Sequence, residues 1–237
     1  MPRAKAVPKE KPKPPQPPAA FDVIVGCDLA LRKTGIVLKR RIGLDVVLEH
    51  GLFETTSKDL APGALLAMVD ALVEFVAPGQ LEHILLVAER PSARHMNDRI
   101  NDVLHWAFRG ELAEDCDLWT LDPYPPTLKK FVTGDGKAGD IGATVMKRWG
   151  QELKGTTQED IVEALALVKF GECWLEHRED GLGPHTSWTG YQADAVVTEG
   201  TGLKRRPRLA AWDTGSMGVA VKRSECNANT TGQERAA

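Results

Sequence analysis

The chain has 237 residues, 42% of them apolar, enough for one large domain or two small ones and for a sizeable core, which excludes a wholly disordered protein. No window approaches the roughly 18 uninterrupted apolar residues of a membrane span, and the Lys- and Pro-rich start has no apolar segment of a secretory signal. The net charge of −3 conceals a pattern of +4 over 1–20, −11 over 21–199 and +4 over 200–237. Basic ends on an acidic body suit a nucleic-acid enzyme whose carboxylates hold metal ions, and they equally suit plain solvated tails. The four cysteines are scattered with no Cys-x-x-Cys pair, so no structural zinc site is expected, and reduced, buried thiols are.

Seven of the fifteen prolines lie in the first twenty residues, which marks 1–20 as an extended, disordered basic tail. From 21 the hydrophobic period changes in order. Residues 23–27 form a short buried strand ending at Asp28. Thr34-Gly35 is read as a turn into a second strand, 36–39, and 44–53 as a third. Leu65, Leu66, Val69, Leu72, Val73 and Val76 recur at helical spacing, giving a helix over 61–77. A buried strand, 83–88, runs into Glu89. A helix over 93–108, a strand near 118–121 and helices over 138–153 and 157–176 complete the body, 21–180. The remaining 181–237 is read as a second disordered basic tail, with its first nineteen residues the least defined. Three strands in a meander followed by alternating helix and strand make an α/β fold: a mixed five-stranded sheet with helices on both faces.

Four acids stand out. Asp28 and Glu89 each end a buried strand, where α/β sheets open into a ligand crevice; each alone is equally a turn or surface acid. Asp160 and Glu163 are three apart on the 157–176 helix and share a face. Glu159 and Asp160 suit the first turn of a helix through its dipole, but Glu163 lies among Ile161, Val162, Leu165 and Leu167. A buried face with two acids needs a cation to relieve their repulsion. Oxygen ligands without a His or Cys cluster point to Mg²⁺ or Mn²⁺. Two such ions activate a water and stabilise the leaving oxygen of a phosphodiester.

The stretch Val25-Gly-Cys-Asp-Leu-Ala-Leu-Arg-Lys-Thr-Gly35 resembles the first motif of RuvC-type Holliday junction resolvases, within the RNase H-like nuclease superfamily. Glu89 matches that family's second acid, and Asp160-Ile-Val-Glu-Ala-Leu-Ala166 resembles its final Asp-x-x-Asp-Ala-Leu-Ala helix, departing at Glu163. The resemblance spans about 22–175. It implies an RNase H-like nuclease domain over 21–180 and an endonuclease that cuts branched DNA. It further implies a homodimer acting on four-way junctions, with Asp28, Glu89, Asp160 and Glu163 as catalytic residues and ligands of two Mg²⁺ or Mn²⁺ ions. Leu128-Lys-Lys-Phe-Val-Thr-Gly-Asp-Gly-Lys-Ala-Gly-Asp140 is similar to the family's Lys…Gly-x-Gly-x-Ala loop. Lys129 takes the position of a DNA-contacting lysine; a second falls at Asp140, for which Lys137 is a substitute. With Arg32, Lys33, Lys130 and Phe131 these are the implied DNA contacts, and Phe131 and Tyr124 are candidates for stacking on an unpaired base. Arg94, Arg99 and Arg109 are expected on the solvated face of the 93–108 helix. No membrane or small-molecule cofactor is expected, and the location implied is the cytoplasm or nucleoid of a bacterial or phage-infected cell. Competing readings are a flap or other branched-DNA nuclease of the same fold, a non-catalytic nucleic-acid-binding protein, and an actin-like ATPase or kinase.

Overall fold

The computed structural model describes residues 18, 20–30, 32–55, 62–77, 79, 83–90, 96–154, 156–180, 188–200 and 204–205. Six strands, β1 (Val23–Asp28), β2 (Lys33–Ile42), β3 (Asp45–Glu54), β4 (His83–Ala88), β5 (Asp117–Leu121) and β6 (Lys204–Arg205), form one sheet in the order β3-β2-β1-β4-β5-β6. β1, β4 and β5 are parallel, and β2 runs antiparallel to both β1 and β3. This is the mixed sheet expected from the sequence, widened by the two residues of β6 pairing antiparallel with β5. The helices are α1 (Pro62–Val76), α2 (Met96–Asp115), α3 (Pro125–Thr133), α4 (Gly142–Trp149), α5 (Glu159–Asp180) and α6 (Gly190–Gly200). Among the described residues no helix is long and apolar enough to cross a membrane.

The two-residue period of the strands sorts the core into two layers. Val23, Val25, Cys27, Ile36, Leu38, Ile84, Leu86 and Leu118 pack with Met68, Val69 and Leu72 of α1 and Leu104, Phe108 and Leu112 of α2. Their alternates Ile24, Val37, Leu85, Val87 and Leu121 pack with α3, α4, α5 and α6. Each fully buried Leu, Ile or Phe here is worth about 1.5–3 kcal/mol of transfer free energy.

Helix α5 is the middle of the second layer. It is apolar nearly all round, as read from the sequence, because residues 164–168 and Phe170 are sealed between sheet and outer helices. It lies on the sheet at glycines. A Cβ on Gly26 would sit 2.1 Å from the Ala164 carbonyl oxygen, and one on Gly35 would sit 2.2 Å from the Asp160 carbonyl. Both obstacles are backbone, which cannot rotate aside.

Several sequence expectations need correction. Thr34-Gly35 is not a turn: both residues lie in β2, where Gly35 pairs with Asp28. Thr34 Oγ1 instead donates to the Ala30 carbonyl at 2.8 Å, tying the start of β2 to the end of the β1 segment. The helix expected over 93–108 is seen from Met96 and continues to Asp115; 93–95 lie outside the described residues. Residues 128–133, read as part of a loop, belong to α3, with prolines in its first turn and Gly134 at φ 87° closing its end. The disordered reading of 181–237 fails for 188–200: α6 buries Ala195 and Val196 against the second layer, and Trp188 packs beside them. Of the two expected tails, residues 1–17, 19, 181–187, 201–203 and 206–237 lie outside the described residues.

The glycine contacts yield a test. Gly26→Ala and Gly35→Ala should each destabilise by about 1–3 kcal/mol, because the overpacked atoms are backbone. Gly63→Ala, with open space around its Cβ on α1, should be neutral or stabilising by up to about 1 kcal/mol. Denaturant midpoints of the three variants check this.

Candidate active site

Side-chain alternation aims the strand-end acids. Ile24 and Gly26 face α5, so Asp28, two residues on, faces it too. Leu85 and Val87 face the same layer, and Glu89 follows in phase. The parallel register pairs Cys27 with Ala88, so Asp28 and Glu89 stand side by side, each one residue further along. The seating of α5 on Gly35 and Gly26 brings its first turns to that same edge, and with them Asp160 and Glu163.

The four carboxyl groups feel one another. Burial raises Asp28 from the ordinary carboxylate range to about 7, with Glu163, Glu89, Asp160 and Glu159 pushing the same way. Glu89 also rises to about 7, through burial and then Glu163, while Lys129 pulls it back. Glu163 is raised by burial and then by Glu159, Asp160 and Asp140, again opposed by Lys129. Asp160 is held by Lys33, whose Nζ lies 2.5 Å from Oδ2. Behind Asp28 the Cys27 thiol is fully buried and pushed well up by burial and by Asp28, so it offers no thiolate.

The site therefore contains the four expected acids and one more influence. Glu159, assigned above only to the helix terminus, is exposed, yet its charge reaches Asp28, Lys33 and Glu163. Asp140, where the resemblance placed a lysine, accepts from the Gly142 amide at 2.6 Å at the start of α4 and adds repulsion to Glu163.

The expected DNA contacts divide. Lys129, on α3, is half-buried and close enough for its charge to act on Glu89 and Glu163. Arg32 is exposed beside Lys33, and Lys137 is exposed in the 134–140 loop, its amide donating to Asp135 Oδ1 at 2.9 Å. Lys130 is half-exposed on α3. Phe131 is a correction: it is fully buried, in ring contact with Trp149, Phe170 and Trp188, and no base reaches it. Tyr124 is 49% exposed, with the Arg90 guanidinium 4.2 Å from its ring centre and hydrogen-bonded to its hydroxyl.

Arg109 is a second correction. It is buried, with Nη2 2.7 Å from Asp122 Oδ1 and 3.5 Å from His105 Nδ1. His105 is hydrogen-bonded to the backbone of Leu29, and burial, reinforced by Arg109, lowers its pKa to about 4, so it is neutral. The Pro123 carbonyl accepts from the Arg90 amide at 2.9 Å. These contacts tie the segments after β1, β4 and β5 to α2. Sequence reading missed them because the burial of Arg109 depends on a partner thirteen residues away, just beyond β5. Arg94 and the side chain of Arg99 lie outside the described residues.

Among the described residues no three His, Cys, Asp or Glu side chains are gathered tightly enough, as they are oriented, to grip a metal ion. The donor chemistry nevertheless fits a hard divalent cation. Desolvated carboxylates outnumber the nearby ammonium groups, and no thiolate or imidazole competes with them.

No protein-family model matches the chain, and no curated protein sequence does. Among solved structures, RuvC of Thermus thermophilus is similar at 14% identity, with 78% of this chain and 99% of that chain covered and a TM-score of 0.49. The same protein in complex with a Holliday junction substrate gives 14% and 0.48. The Fowlpox virus resolvase with substrate Holliday junction DNA gives 9% identity and a TM-score of 0.37, over 67% of this chain and 99% of that one. These likenesses are remote, and the case for a function comes from the chain's own carboxylates.

The raised carboxyl groups fix a pH dependence. An unfolded Asp or Glu loses its proton near pH 4, whereas folded Asp28 and Glu89 keep theirs to about 7. The folded state thus binds more protons between these values, and stability falls as pH rises through the window. Asp28→Asn and Glu89→Gln remove that slope. Each should raise the melting temperature at pH 8 by roughly 3–6 °C and change it little at pH 4, as read by calorimetry without divalent metal.

Proposed function

We propose that this chain is a divalent-metal-dependent endonuclease that hydrolyses phosphodiester bonds in branched DNA, and that as a homodimer it resolves four-way junctions. The observation that supports this most is the gathering of Asp28, Glu89, Asp160 and Glu163 at one edge, where burial and mutual repulsion raise three of them. The four-way substrate and the dimer rest on the sequence motifs around Asp28 and Asp160.

Asp28, Glu89, Asp160 and Glu163 would hold the ions, Mg²⁺ or Mn²⁺, which when bound supply an activated water and charge stabilisation for the leaving oxygen. The protein's own part is placement. The strand ends fix Asp28 and Glu89 at one level, and α5 carries Asp160 and Glu163 to them on a buried and therefore rigid backbone. The buried Arg109–Asp122 pair and His105 steady the segments that follow the strands. Arg32, Lys33, Lys129, Lys130 and Lys137 offer ammonium and guanidinium groups for phosphates, which set affinity and register without reading sequence. The half-exposed Tyr124 ring is the stacking surface in place of Phe131.

The decisive assay is cleavage of matched four-way, flap and linear DNAs with Mg²⁺. Symmetric nicking of the four-way substrate is expected; cutting of flaps alone would move the reading to a flap nuclease of the same fold. Asp28→Asn and Glu163→Gln should each lower cleavage by about 10²-fold or more while DNA binding persists. Ca²⁺ should support binding and cleave poorly. Glu159→Gln should have a milder effect, since that side chain is exposed. Full activity of all the acid variants would remove the nuclease assignment.

The cationic flank has its own readout. Lys129→Ala and Lys137→Ala should weaken DNA binding across sequences, each reducing the slope of log affinity against log salt by about 1. A raised metal requirement with unchanged DNA affinity would contradict their placement as phosphate contacts.

A further inference from the structure

Lys33 opens β2 between two acids. Its Nζ is 2.5 Å from Oδ2 of Asp160 on α5. That oxygen is buried and, among the described residues, has no hydrogen-bond donor of good geometry besides this ion pair. In the β2–β3 ladder Lys33 lies directly opposite Glu54, and side chains so placed share a face within contact distance. The charge of Glu54 already favours the ammonium. Lys33 thus has one partner inside the site and a second just outside it.

Asp160 is the ligand that a cation would have to win. A monovalent ammonium at 2.5 Å satisfies one carboxylate, while an entering dication serves several at once. Moving Lys33 from Asp160 to Glu54 exchanges one ion pair for another, so the transfer itself is nearly balanced, and the divalent charge decides it.

We propose that Lys33 is a resident counter-ion of Asp160, displaced to Glu54 when a divalent cation enters among the carboxylates; this rests on the metal-binding reading given above. Lys33 keeps the metal-free site from carrying its full repulsion and lowers its affinity for the ion. Once displaced, the ammonium stands at the rim, beside the exposed Arg32, where a phosphate would approach.

The test is Mn²⁺ binding by titration calorimetry on the full chain without DNA, at low salt. Lys33→Met should bind Mn²⁺ about five- to tenfold tighter than the parent chain, and Lys33→Gln should follow it. Glu54→Gln, which removes the second partner, should bind more weakly. Removal of any nearby positive charge raises cation affinity, so Lys129→Met serves as the comparison. The gain from Lys33→Met should vanish in an Asp160→Asn background, whereas the gain from Lys129→Met should persist there. A parent chain that binds Mn²⁺ with Lys33→Met no tighter, or a Lys33→Met gain that survives Asp160→Asn, overturns the proposal and leaves the metal site standing. Absence of Mn²⁺ binding in the parent chain and every variant overturns both. Melting curves of each variant exclude a folding defect as the cause.

Discussion

The contact of α5 with β1 and β2 is the constraint from which the rest follows. Gly26 and Gly35 bring helix backbone against strand backbone, nearer than any side chain would permit. At that distance the apolar residues of α5 are sealed on both sides, and its first turns are pinned beside the strand ends. A looser helix would leave Asp160 and Glu163 in water and away from Asp28. Close packing and the convergence of carboxylates are one geometric fact.

The two ends of α5 handle charge differently. Toward its C-terminal half, Lys169 bridges Glu172 at 3.0 Å and Glu152 at 2.8 Å, and Lys39 pairs with Glu172, so buried charges alternate in sign. Toward its N-terminus, Asp28, Glu89, Glu159, Asp160 and Glu163 face chiefly Lys33 and Lys129. A structural network of the first kind satisfies itself. The second leaves negative charge uncompensated, and under the function proposed above a bound cation would relieve it.

Much of this was legible in the sequence because it is local. Strand 83–88, running into Glu89, is legible in an unbroken apolar run, with its bounds as they stand. The apolar surroundings of Glu163 announced a buried helix face. What failed depended on distant partners. Phe131 looked like an exposed aromatic in a basic loop, but Leu128, Phe131 and Val132 are the inward stripe of a short helix behind Tyr124-Pro-Pro. Arg109 looked solvated because Asp122 lies beyond α2, just after β5. Gly35 was credited with a turn when its role is to make room for residue 160. Helix α6 was missed in a polar, Gly-rich setting, although Thr189 and Gln192 form a start signal at the right spacing: the Gln192 side chain accepts from the Thr189 amide at 3.0 Å.

The parallel β1–β4 pairing has a consequence for when the carboxylate cluster exists at all. Asp28 and Glu89 come from the first ninety residues, whereas Asp160 and Glu163 come from a helix beginning at 159. The strand meander and its neighbours form from sequence near at hand, but α5 reaches β2 across more than a hundred intervening residues, a contact of high sequence separation that is slow to close. A chain emerging from synthesis therefore completes most of its sheet while holding only half of its carboxylates. The cluster of repelling charge is completed only when α5 docks, after β1 to β5 have been made and before β6.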